Sequence, residues 1–234
     1  MQTNKYYKGE ALRALKGNWT PAVLATIVFF AVYFILYGPG LWQTAKLQDS
    51  IATINPSDFN AVMAAYKGAS GASSLQLLGQ VFLLFPLSLG LANAFRLLLA
   101  SGDNNLTSNM FSIAFSNYWH KVWGMLLMDI FIFLWSLLLV IPGIIKCFSY
   151  AMTPYILQDN PELSVNEAID RSRAMMKGHK FDLFYLYLSF IGWFFLCLLT
   201  AGIGFLWLHP YVQAAQASFY EDLKTEFYGE TAAA

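Results

Sequence analysis

Charge is what this sequence has least of. Only 12% of its 234 residues are Asp, Glu, Lys or Arg, about half the share of a soluble domain. A water-soluble enzyme of this size would lack the charged surface it needs. Cysteine is almost missing as well. Cys147 and Cys197 lie inside apolar runs without His or carboxylate neighbours, which excludes a disulfide framework and a thiolate metal site and leaves two small reduced core residues. The three histidines, His120, His179 and His209, stand apart in sequence, so they read as isolated rings and no metal ligand set emerges. No Gly-x-Ser-x-Gly, His-Glu-x-x-His, phosphate-binding glycine loop or Cys-x-x-Cys is found, so no catalytic residue and no cofactor is assigned, and the chain reads as a non-enzyme. A formal net charge of zero gives no reason to expect nucleic acid as a partner. Met1 to Lys16 is polar and basic and does not read as a cleaved signal peptide.

What is abundant is apolar: 57% of the residues, with 17% aromatic, which excludes disorder. The few charges are unevenly placed. Gly17–Ala45, Gly68–Phe95 and Leu183–Tyr220 contain none, and Val122–Gln158 contains only Asp129 and Lys146. A bilayer core about 30 Å thick takes roughly 20 apolar helical residues. The last two runs are too long for one crossing and divide at Thr200–Gly204 and at Pro142-Gly143. Six transmembrane helices are expected, over about 20–41, 75–100, 122–141, 143–157, 181–199 and 204–220. The fold class is therefore an all-α polytopic membrane protein forming one membrane domain. The stretch 42–74 forms an outer loop, with a flexible linker at Gly68–Ser74, and 223–234 a C-terminal tail.

Lysine and arginine set the orientation. Lys5, Lys8, Arg13, Lys16, Lys121, Arg171, Arg173, Lys177, Lys180 and Lys224 share one side, against Lys46 and Lys67 on the other. The positive-inside rule then puts both termini in the cytoplasm.

A pattern also recurs. Ala14–Trp19, Ala114–Trp119 and Met175–Phe181 each present an apolar face, then Gly or Asn, then an aromatic opening a long apolar run. Gly and Asn tolerate the left-handed conformation that closes a helix. Each copy reads as a short interfacial amphipathic helix followed by a hairpin, a pseudo-threefold repeat over about 1–101, 102–158 and 159–222. The third copy carries a capping box at Ser164–Glu167, and Val165, Ile169, Ser172 and Met176 fall on one face, the pattern of a helix in the headgroup layer. Lys16, Lys121, Arg171, Arg173, Lys177 and Lys180, spread over the three copies, are the candidate contacts with anionic lipid headgroups, worth about 1 kcal/mol each. The second helix of each hairpin, led by Pro86, Pro142 or Pro210, is the more polar and is expected to face inward.

Ionisable groups at membrane depth are costly unless paired or hydrated. Asn93, Arg96, Asp129, Lys146, Gln213 and Gln216 are therefore candidates for a polar conduit or ligand pocket, or else for hydrogen-bonded glue between helices. Arg96 is expected to meet Asp129, while Lys146 snorkels outward.

The stretches Ala14–Trp19, Leu134-Trp135 with Ile141–Ile144, Met175–Lys180, Ser189–Trp193, Leu206-Trp207, Pro210-Tyr211 and Ala217–Glu221 resemble the bacterial integral-membrane proteins of domain-of-unknown-function family 975. That resemblance implies a multi-pass protein of the bacterial plasma membrane and carries no catalytic residue across. Two functions stay open on these grounds. One is binding or transport of a lipid-like or amphipathic ligand within the bundle. The other is a non-catalytic scaffold or accessory protein that holds anionic lipid or a partner protein through its basic interfacial helices.

Overall fold

Of the six left-handed residues among those described, three each separate a short helix from a segment long enough to cross a membrane. Gly17 (φ 84°), Asn117 (φ 45°) and Gly178 (φ 95°) occupy the backbone region that Gly and Asn enter at least cost. The structure is a computed structural model and describes residues 2–55, 58–64 and 76–233. In chain order the helices are α1 (Asn4–Leu15) and α2 (Trp19–Thr53), then α3 (Gln76–Ser101), α4 (Leu106–Phe115) and α5 (Tyr118–Leu138). They continue as α6 (Val140–Tyr150), α7 (Thr153–Asp159) and α8 (Val165–Met175), then α9 (Lys180–Leu188), α10 (Ile191–Leu199) and α11 (Phe205–Ala233). Among the described residues there is no strand.

Among the described residues, five helical segments are long and apolar enough to cross a membrane: α2, α3, α5, α6 with α7, and α9 with α10. The sixth expected span lies in α11 and is not among them, because His209, Gln213, Gln216 and Ser218 dilute its apolar character. Burial separates the segments into inner and outer ones. In the most apolar window, 61% of α3 and 44% of α6–α7 is buried, against 17% of α2, 28% of α5 and 22% of α9–α10. The helices led by Pro86 and Pro142 are thus inner ones, and Ala214, Ala215, Ala217, Phe219 and Tyr220 bury one stretch of α11 in the same core.

Boundaries differ from expectation where local packing decides them. The second hairpin reverses at Leu139 (φ −160°, ψ 140°), three residues before Pro142, which fits inside the first turn of α6, where its missing N–H costs no helical bond. Gly143 allows the close return: a Cβ there would lie 2.8 Å from the Cα of Ser136. The outer loop begins as helix, since α2 runs to Thr53, and the linker Gly68–Ser74 lies outside the described residues. The expected tail is the continuation of α11, with Leu223 buried.

Each interruption of an inner or broken helix is closed by a side chain from elsewhere. Pro86 cannot donate to Phe82, and α3 widens to a π-turn over Gln80–Leu84. Tyr118 donates its hydroxyl to the Phe82 carbonyl at 2.5 Å. Between α6 and α7, Ser172 accepts the Met152 N–H at 3.2 Å and donates to the Ser149 carbonyl at 2.9 Å. Between α9 and α10, Lys8 donates to the Ser189 carbonyl at 2.9 Å and lies 4.4 Å from the Phe190 ring centroid, and its burial lowers the ammonium pKa below the ordinary lysine value.

The short helices turn their apolar faces to protein. Tyr7, Ala11 and Leu15 of α1, Leu106, Met110 and Ala114 of α4, and Val165, Ala168, Ile169 and Ser172 of α8 are all buried. The headgroup-layer reading of α8 is corrected to this extent: neighbouring helices, not lipid, cover its apolar stripe. Its capping box is present. Ser164 accepts the Glu167 N–H at 3.3 Å and Glu167 accepts the Ser164 N–H at 2.8 Å. The Ser164 hydroxyl, which donates to the Glu167 carboxylate at 2.6 Å, and then the Ser164 N–H hold that carboxyl below its usual pKa. A depressed folded pKa makes this contribution complete above the ordinary carboxylate pKa of about 4.3 and lost as pH falls through the lower folded value. Protection of the Glu167 amide against hydrogen exchange, taken relative to its intrinsic rate, is expected to fall on acidification below about pH 4, in that same range. Glu167→Gln should abolish the fall, and an unchanged acid response in that variant would refute the assignment.

Candidate functional site

The polar groups gather at the end of the bundle where α3, α7 and α11 meet. The chain turns at Gly102 after α3 and at Asn160 after α7, so Arg96 and Asp159 sit within two turns of those ends. α11 continues past its apolar part into Tyr220-Glu221-Asp222-Leu223-Lys224, bringing opposite charges alongside. Arg96 reaches Asp159 at 2.6 Å and Glu221 at 3.2 Å. Lys224 reaches the other oxygen of Asp159 at 2.5 Å, and the Tyr220 hydroxyl donates to it at 2.9 Å. The Tyr155 ring stacks on Tyr220 with centroids 4.7 Å apart and planes 16° apart. Two cations and two carboxylates balance, with Arg96 and Asp159 only 12% and 11% exposed. Burial of charge is tolerated on those terms and few others.

Further along the same helix, α11 makes three more ties. Asp222 accepts from the Tyr7 hydroxyl at 2.7 Å and from the Gln2 N–H at 2.9 Å. Burial first, and this carboxylate second, push the Tyr7 hydroxyl pKa far above its ordinary value. His179 lies between Asp182 at 3.3 Å and Glu226 at 3.4 Å, so it is bracketed by carboxylates where an isolated ring was expected. Arg171 donates to Asn160 at 3.2 Å and to Tyr228 at 3.1 Å. The charged half of α11 therefore holds α1, α3, α7 and α8 at once.

Deeper in the bundle the site becomes polar without being charged. Asn93 is fully buried and donates to the Leu89 and Pro154 carbonyls at 3.0 and 3.1 Å. Asn93 Oδ1, Arg96 Nε, Thr153 Oγ1, Tyr155 OH and Gln213 Oε1 are buried and have no hydrogen-bond partner among the described residues. Gln213 lies seven residues, two helical turns, before Tyr220 on the same side of α11, and Gln216 is half-buried on the turn between.

Of the six residues expected to form a polar core, Asn93, Arg96 and Gln213 are inner groups. Asp129 and Lys146 are placed elsewhere. Arg96 does not pair with Asp129, because α7 and α11 present carboxylates nearer to its guanidinium. Asp129 has no ion pair or hydrogen bond among the described residues. Cys147 is exposed, while Cys197 is buried, so only one of the two is a core residue. Lys146 stands over the Trp135 ring at 4.4 Å, on the outside of the α5–α6 hairpin.

The basic candidates also divide. Lys16, Arg173 and Lys177 are exposed and Lys180 half-buried. Lys121 is 2% exposed and donates to the Ile113 carbonyl and, at 2.7 Å, to Ser116 Oγ. It caps the last turn of α4, where unsatisfied carbonyls attract a cation, and is not available to lipid. Asn18 does the same for α1, donating to the Ala14 carbonyl at 2.8 Å.

Residues 137–226 match the model of a family described as a protein of unknown function, DUF975. Over that stretch the chain is similar to the DUF975 family. The DUF975 match runs from the end of α5 into the charged half of α11, so it includes Tyr155, Asp159, Tyr220, Glu221 and Lys224, whereas Arg96 and Tyr7 lie outside it. No curated protein and no solved structure matches the chain.

Proposed function

We propose that this is a lipid-binding protein of the bacterial plasma membrane that holds an amphipathic ligand in a surface groove and does not conduct it. It crosses six times as three hairpins, each preceded by a short helix packed on the bundle, with both termini cytoplasmic. The observation that carries the reading is a groove of about 410 Å³ lined by Leu12, Trp19, Trp193, Leu196, Trp207 and Tyr211, among others. Its volume is that of a small-molecule site, and its walls are apolar with aromatic polar tips, which suits an acyl chain with a polar end. A second apolar groove of about 340 Å³ lies on the neighbouring face, beside Phe30, Phe194 and His209.

Other features support the reading. Large apolar side chains such as Leu137, Leu138 and Leu199 are 74%, 74% and 83% exposed, a surface that water would not tolerate over such an extent. The left-handed stop after each of α1, α4 and α8 supports the threefold repeat. Gln2 beside Asp222 brings the start of the chain to the charged half of α11, in keeping with termini on one side. The charge-balanced contacts of Arg96 favour a closed core over a conduit.

The test is native mass spectrometry of the protein purified in neutral detergent. Wild type is expected to retain lipid. Leu12→Trp, at a position 46% exposed on the groove wall, should fill the groove and lower the bound fraction severalfold without loss of fold. Wild-type protein free of every lipid class would overturn the reading.

A further inference from the structure

We propose that the groove between α1 and α11 binds a primary ammonium group, with Asp222 as its counter-ion and Ser218 as a hydrogen-bond acceptor. The groove measures about 280 Å³ and is lined by Tyr6, Glu10, Leu99, Ser218, Glu221 and Asp222, among others. Helical spacing produces it. Tyr6 and Glu10 lie one turn apart on α1, and Ser218, Glu221, Asp222 and Thr225 repeat along one face of α11. Leu99 and Ala100, at the end of α3, add an apolar wall. All three helices reach the groove at one end of the bundle, the end that carries the Arg96 network.

One negative charge is left over here. Arg13 pairs with Glu10 at 2.9 Å, Arg96 with Asp159 at 2.6 Å and Glu221 at 3.2 Å, and Lys224 with Asp159 at 2.5 Å. These are three cations for three carboxylates, and Asp222 is a fourth. It accepts from uncharged donors, the Tyr7 hydroxyl and the Gln2 N–H, and among the described residues no cation pairs with it. Ser218 is the second sign. Thr26, Ser101, Ser136, Ser149 and Thr225 turn their hydroxyls back onto the carbonyl four residues earlier, a common arrangement for such a group in a helix. The Ser218 hydroxyl makes no hydrogen bond with a described residue, although the residue is only 7% exposed, and what remains open of it faces the groove. A polar group so nearly buried costs free energy until a partner in the groove completes it.

The walls decide which cation fits. Among the described residues no three His, Cys, Asp or Glu side chains come close enough to hold a metal ion, so a bare divalent ion would lack the roughly six oxygens it needs. Tyr6, 45% exposed, offers a ring face to a cation, and Leu99 and Ala100 can cover a short run of carbons. A primary ammonium brings one positive charge for Asp222 and N–H donors for both Asp222 and Ser218. A quaternary ammonium brings the charge without the donors. Two sources carry the primary group: a free organic amine, and the headgroup of an aminophospholipid such as phosphatidylethanolamine.

The experiment uses the full chain in neutral detergent, titrated with n-butylammonium or n-butanol and read by saturation-transfer NMR. Native mass spectrometry with phosphatidylethanolamine or phosphatidylcholine runs beside it. Butylammonium binding above that of butanol assigns a free amine. Retention of phosphatidylethanolamine over phosphatidylcholine, without butylammonium binding, assigns the headgroup. In either case Ser218→Ala should weaken binding about fivefold, the loss of one hydrogen bond of about 1 kcal/mol. Asp222→Asn should weaken it about tenfold or more, since the lost contact is charged. Ser218→Ala removes no hydrogen bond of the fold and should keep the wild-type Tm, and Asp222→Asn keeps an acceptor for Tyr7. Asp170→Asn, on α8 outside the groove, should bind as wild type does. Butanol equal to butylammonium, with no preference for phosphatidylethanolamine over phosphatidylcholine, would overturn the proposal. So would Ser218→Ala and Asp222→Asn variants that bind as tightly as wild type.

Discussion

Arg96→Met is expected to destabilise the protein by about 3–5 kcal/mol, the usual cost of removing one partner from a buried ion pair. The methionine fills much of the space but leaves Asp159 to Lys224 alone and Glu221 without its cation. Glu221 is 35% exposed and can be partly rehydrated, which places the loss toward the lower end of that range. Thermal unfolding in detergent should show a lowered Tm. Reversing the pair, Arg96→Asp with Asp159→Arg, should recover part of it. Asp129→Asn should leave the Tm nearly unchanged, since no cation is paired with that carboxylate. A melting temperature unaffected by Arg96→Met would mean that the network does not clamp α3, α7 and α11 together.

That contrast shows which contacts a linear reading can find. Helix type, the short–long alternation and the left-handed stops were legible because they depend on neighbours in sequence: Gly17, Asn117 and Gly178 each follow an apolar face and precede an aromatic. The capping box was legible for the same reason. Partner choice was not. Arg96 and Asp129 share the expected depth on helices of opposite direction, but depth does not determine which faces meet, and α7 comes between them as the nearer partner. Asp159 stands beside Asn160 and Pro161, a turn-forming sequence that hides a buried counter-ion. The available signal was Tyr220–Lys224, where charges follow an apolar helix without a breaker. A helix that continues must place those groups against whatever packs beside it. Lys121 was misassigned because a cation just after a short helix suits both a headgroup and a terminal carbonyl, and the helix end was nearer.

Gly90→Ala is expected to be the most damaging of the small substitutions. The added Cβ would lie 2.2 Å from the Met110 carbonyl oxygen and 3.1 Å from its carbon. Both are backbone atoms, so no rotamer change can relieve the clash, and α4 must move as a body away from α3. Leu106, Met110 and Ala114, all fully buried, move with it. Overpacking of a core costs about 1–3 kcal/mol, and displacement of a whole helix belongs at or beyond the upper end. Two other glycines calibrate the effect. At Gly124 the new methyl would meet the Leu157 side chain at 2.5 Å, which can rotate, so a smaller loss is expected. At Gly9, inside α1, nothing lies within 4 Å, and alanine should stabilise by about 0.5–1 kcal/mol through helix propensity alone. Melting temperatures in one detergent should therefore fall in the order Gly9→Ala, wild type, Gly124→Ala, Gly90→Ala. If Gly90→Ala melted with wild type, α3 and α4 could not be as close as their backbones place them, and the packing that positions Asn93 and Arg96 on the next turns of α3 would have to be revised with it.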